Sequence, residues 1–215
     1  MDIARALIEN KADMEHTNDD EVAAIFTLYQ PEGPRDAAVT TAFLRMLAGY
    51  GFSGYNVQSK RGWTPLHRAS AHGTGADVDL LVKWGSSPEI PNNDNWNALF
   101  IAIGYNNVDT FKRLMVDFRQ EYIHLQDYHG WTMLHEAADM GNVEIISTLI
   151  RHGFDPSPSY EYASTDAGTT MLAPIEVARA AGGSALDNFI ASVLLSTGIQ
   201  LSIDSEDTFW PASDM

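Results

Sequence analysis

Apolar residues recur along this chain in short bursts at helical spacing, separated by polar turns carrying glycine and asparagine. In Val78-Asp79-Leu80-Leu81-Val82-Lys83-Trp84-Gly85 the aliphatic positions share one helix face. The run Val143-Glu144-Ile145-Ile146-Ser147-Thr148-Leu149-Ile150-Arg151-His152-Gly153 does the same. Each burst predicts a helix of about two to three turns, too short to persist alone in water. Each must bury its face against neighbours. Gly85 and Gly153 stand where a left-handed residue closes a helix. The same reading predicts helices over 21–29 and 37–48, the pair closing at Gly51. A last helix over 187–196 closes at Gly198.

The bursts belong to a repeat. Arg61-Gly62-Trp63-Thr64-Pro65-Leu66-His67-Arg68-Ala69-Ser70-Ala71-His72-Gly73 returns as His129-Gly130-Trp131-Thr132-Met133-Leu134-His135-Glu136-Ala137-Ala138-Asp139-Met140-Gly141. A degraded copy lies between them, Asp94-Asn95-Trp96-Asn97-Ala98-Leu99-Phe100-Ile101-Ala102-Ile103-Gly104-Tyr105-Asn106. Its Asn95 replaces a glycine and tolerates a left-handed backbone, while Phe100 replaces the histidine. A looser copy, Ala173-Pro174-Ile175-Glu176-Val177-Ala178-Arg179-Ala180-Ala181-Gly182, follows. Thr64 and Thr132 predict N-cap hydroxyls, and Pro65 fits the first helical turn.

The pattern resembles the ankyrin repeat, whose period is about 33 residues and whose signature is T-P-L-H-x-A. Thr64 to Ala69 match that signature completely. The resemblance implies an all-α solenoid of about five helix-turn-helix units joined by short β-hairpin-like loops. Its units fall at 1–18 (partial), 19–58, 59–91, 92–126, 127–166 and 167–201, with an acidic tail over 202–215. Residues 4–13 read as the end of a second helix and its turn. Insertions fall at 30–35, 117–124 and 157–170. In the tail, Phe209-Trp210-Pro211 offers an apolar cap for the last repeat.

Composition narrows the function. The chain has 215 residues, 45% of them hydrophobic, enough for a buried core, and it has no cysteine. Disulfides, thiol catalysis and cysteine zinc sites are thereby excluded. Against 13 basic residues stand 29 acidic ones, a net charge of −16. Such a surface repels nucleic-acid backbones and anionic lipid. No long apolar run or signal-type leader is visible, which sets the expectation of an intracellular protein, cytoplasmic or nuclear, with no membrane contact.

No nucleophile elbow, phosphate loop or dinucleotide fingerprint occurs, so no catalytic residue, cofactor or metal is expected. His67 and His135 invite a catalytic or metal reading, but the repeat accounts for both as bridges between the turn and the helix. His67 and His72 are five apart, off the spacing of a helical zinc pair.

The distinctive feature is a tryptophan at one repeat position, in Trp63, Trp96 and Trp131. In ankyrin proteins that position lies on the concave side, among partner-contacting positions. Arg61, His72, Asp94, Tyr105, Tyr128, His129, Asp139 and Met140 match it or its neighbours. Trp and Tyr are frequent at binding hot spots, although Trp also packs well between turns. The leading expectation is a non-catalytic module binding a protein segment on the concave face. Asp94, Glu136 and Asp139 would complement a basic segment. A narrower version makes the tryptophans a cage for methylated lysine. A different class makes the aromatic wall a small-molecule pocket or a shape-directed enzyme site. A third reading makes the chain a piece of a larger scaffold or adaptor.

Overall fold

The structure, a computed structural model, describes residues 36–156 and 173–198, with 6, 9–10, 12–18 and 23–29 ahead of them. The expected loops at 30–35 and 157–170, the tail, and half of the residues over 4–13 lie outside the described residues. Among the described residues regular structure is helical, with isolated bridges joining Thr17 to Ala23 and Gln126 to Thr132. The chain divides into two compact units, Met1–Phe118 and Arg119–Met215.

The first unit begins with a 3-10 segment, Ala24–Tyr29, and α1, Ala37–Gly49. The α-helix expected over 21–29 is thus corrected to the tighter form in its described part. Side chains three apart eclipse one another in a 3-10 helix, which puts Phe26 and Tyr29 on the same side, and both are buried. The Asp36 carboxylate starts α1 by accepting from the backbone N–H of Ala38 at 2.8 Å. Then come α2, Pro65–His72, and α3, Gly75–Lys83. The copy that follows supplies α4, Ala98–Gly104, and α5, Val108–Met115. First helices pack on first helices, α2 against α4, and second on second, α3 against α5, with α1 on α3.

The reason each helix begins where it does is local. The Thr64 hydroxyl accepts from the His67 N–H at 3.3 Å, and His67 Nδ1 accepts from the Thr64 N–H at 2.9 Å. This reciprocal pair satisfies two amides that a helix start leaves open. Burial pushes the His67 pKa down to about 4, partly offset by the backbone of Trp96 and Ile90, so the imidazole stays neutral and accepting. The degraded copy solves the same problem differently: the Asn97 side chain accepts from the Phe100 N–H at 2.9 Å. Phe100, freed from capping, is fully buried. Between helix layers, the Thr110 hydroxyl donates to the Ser70 carbonyl at 2.7 Å.

The second unit opens with a 3-10 segment, Gln120–His124, whose Tyr122 and Ile123 are buried. The insertion expected at 117–124 therefore adds to the core. Then come α6, Met133–Met140, α7, Val143–Arg151, α8, Pro174–Ala181, and α9, Ala185–Thr197. Here α6 packs on α8 and α7 on α9. Met133, Ile145, Ile146, Leu149 and Phe189 fill the space between them. His135 repeats the role of His67, its Nδ1 accepting from the Thr132 N–H at 3.2 Å. Gly141 closes α6 at φ +65°, against Ala185 at the start of α9.

Candidate partner-binding site

Three turns carry the tryptophans, and they are built alike. The Trp carbonyl accepts from a backbone N–H four residues earlier: Ser59 to Trp63 at 2.9 Å, Asn92 to Trp96 at 2.9 Å and Asp127 to Trp131 at 2.8 Å. In the last two, the side-chain oxygen of Asn92 or Asp127 also accepts from the Trp N–H at 2.8 Å. Gly62, Asn95 and Gly130 take positive φ at the bend, 73°, 63° and 84°. Within the first unit consecutive turns are tied together. The Asn93 N–H donates to the Arg61 carbonyl at 3.1 Å, and the Asn93 side chain donates to the Lys60 carbonyl at 2.9 Å. The tryptophan backbone is therefore part of the turn, and all three side chains are half-buried.

In the first unit the rings of Trp63, Tyr105 and His72 gather. Trp63 meets Tyr105 edge-to-face at 5.8 Å, and His72 meets Tyr105 edge-to-face at 5.1 Å. The Arg68 guanidinium lies 5.1 Å from the centre of the Trp63 ring. Trp96 stacks on Phe100 in the first turn of the helix that follows it, centres 5.0 Å apart, which ties it to the core. Arg61 and Asp94 stand exposed on the turns. Asp94 is bound into its turn, its N–H donating to the Asn92 side chain at 2.9 Å.

In the second unit Tyr128 is 81% exposed and meets His129 edge-to-face. Trp131 stacks beside His135, centres 6.4 Å apart. Met140 is exposed and Asp139 half-buried. Glu136 is 8% exposed. Burial, then the negative charges of Asp139 and Asp127, raise its pKa to about 7. Half or more of these carboxyls are therefore protonated below neutral pH. A bound cation would favour the ionised form.

These turn–helix–helix units have a family counterpart. The family model described as ankyrin repeats, three copies, matches residues 77–159. The chain carries ankyrin repeats. Its fold is the all-α ankyrin solenoid. A stretch of 93 residues, 43% of the chain, is 31% identical to the human transient receptor potential cation channel subfamily A member 1. Another of 90 residues, 41% of the chain, is 29% identical to human ankyrin repeat and SOCS box protein 3. A putative ankyrin repeat protein of Rickettsia felis is 27% identical over 106 residues, 48% of the chain. The matches span only 8%, 17% and 35% of these relatives. Ankyrin repeats generally mediate protein–protein interaction.

Of the residues singled out by the repeat, Trp63, His72 and Tyr105 come into ring contact, and so do Tyr128 and His129. The repeat pattern alone passed over Arg68. It occupies the variable place of the T-P-L-H-x-A signature, inside a helix, where sequence shows only a gap in the motif. Glu136 occupies the same place in the later copy. Among the described residues, no group of three or more His, Asp or Glu is arranged to hold a metal ion. Nor is any of their helices long and apolar enough to cross a membrane.

Proposed function

We propose that this chain is a non-catalytic protein–protein interaction module. Its partner segment lies along the turn tips and exposed helix ends that ankyrin proteins present on their concave side. The carrying observation is the exposure of large side chains at the repeat positions flanking the tryptophans. Tyr105 is 45% exposed, Tyr128 81% and Met140 36%. A folded chain leaves such area open at a cost in apolar hydration, and Tyr supplies contact area at small entropic cost on binding. In the second unit taken by itself, Glu136 with Asp127 and Asp139 suits a basic side chain.

The test is capture from native lysate with the full chain and a Tyr105→Ala/Tyr128→Ala variant. Both tyrosines are exposed, so the variant keeps its helical circular dichroism. A protein retained by the wild type and lost by the folded variant supports the module and locates its face. Equal retention by both overturns the reading.

A further inference from the structure

In a chain with more than twice as many acids as bases, a half-buried arginine without an acid beside it is unexpected. Arg68 is such a residue. Its Nε is buried and makes no hydrogen bond, and its guanidinium forms no ion pair among the described residues. Its recorded partner is the face of Trp63. Arg113, also half-buried, shows the ordinary arrangement: it bridges Asp79 and Asp117. The groups around Arg68 do not neutralise it. Lys60 and Arg61 belong to the same turn as Trp63, His72 lies one helical turn further along α2, and Asp94 is held in its own turn. A cation over an aromatic face is favourable, but the ring satisfies none of the guanidinium's five N–H donors. Its Nε–H is out of water and unpaired, a penalty that a carboxylate on the guanidinium relieves through two parallel charge-assisted bonds.

We propose that Arg68 receives a side-chain carboxylate of the bound partner segment, flanked by Trp63 and Tyr105. This rests on the interaction-module reading and adds the chemistry of one contact. It also gives the two units opposite preferences at the same repeat position: Arg68 in the first takes an acid, Glu136 in the second a base.

The test is selection of random dodecapeptides displayed on phage against the full chain. The expected result is enrichment of Asp or Glu at one fixed position. A synthetic, C-terminally amidated peptide of that sequence should bind Arg68→Gln about tenfold or more weakly than wild type. Arg68→Lys keeps the charge but loses the planar fork, so it should fall between. Changing the peptide acid to its amide should cost the same factor, with no further loss when combined with Arg68→Gln. Circular dichroism reports whether the variants fold, and if Arg68→Gln does not, the same cycle is read with Arg68→Lys. Binders that lack a fixed acid, or that bind wild type and the folded variant equally, overturn the role of Arg68 and leave the module standing. A selection that yields no binder overturns both.

Discussion

Replacing Glu136 by Gln should stabilise the second unit at neutral and alkaline pH. The wild-type carboxyl sits 8% exposed on α6 with the charges of Asp139 and Asp127 nearby, and its pKa rises from 4.5 to about 7. A carboxyl whose folded pKa exceeds its unfolded one costs nothing below pH 4.5, where both states hold the proton. The cost grows as the unfolded chain ionises first, and it is complete above about pH 7. At about 1.4 kcal/mol per pKa unit the full shift amounts to about 3 kcal/mol. Water still reaches part of the group, and screening reduces this to about 1–2 kcal/mol. Gln keeps the shape and removes the charge. Because the chain has two compact units, the measurement should be local: amide exchange over Met133–Met140 at pH 5 and pH 8, corrected for intrinsic rates. The variant should come within about 0.5 kcal/mol of wild type at pH 5 and gain about 1–2 kcal/mol of protection at pH 8. A variant less protected at pH 8, or a gain independent of pH, would refute the electrostatic argument.

His67 should give the first unit the opposite slope. Its folded pKa lies near 4 against 6.5 in the unfolded chain, so its contribution is present above pH 6.5 and lost as pH falls toward 4. Exchange over Pro65–His72 should lose up to about 3 kcal/mol of protection between those limits, and His67→Gln should flatten the dependence. Gly141→Ala should destabilise by about 2 kcal/mol, since the new Cβ would stand 3.0 Å from the Ala185 Cα at φ +65°. Gly85→Ala, at φ +103° in open space, should cost only the backbone penalty of about 1 kcal/mol; urea melts of the two variants compare them. Thr110→Val should cost about 1–2 kcal/mol, because it leaves the buried Ser70 carbonyl without its 2.7 Å donor, read in the same melts.

Much of this architecture is legible in the sequence because ankyrin helices are specified locally. A threonine with a histidine three residues on closes a helix start by itself, and apolar residues three and four apart define its buried face. Thr64, Pro65, Gly85, Asn95, Gly153 and Gly198 mark their turns and caps without reference to the rest of the chain. The 3-10 form of Ala24–Tyr29 was not legible. Its residues suit either helix, and packing of Phe26 and Tyr29 on one side selects the tighter winding. The candidate site divides in the same way. The sequence by itself determined which positions recur, and so which tryptophans and tyrosines share a register. Tertiary structure alone decided what each one meets: Trp96 stacks on Phe100, whereas Trp63 gathers Tyr105 and Arg68. It also decided that Arg68 Nε is buried without a hydrogen bond and that Glu136 is only 8% exposed. Repeat periodicity follows from bonds within about four residues, whereas pairing and desolvation depend on side chains that distant segments bring together.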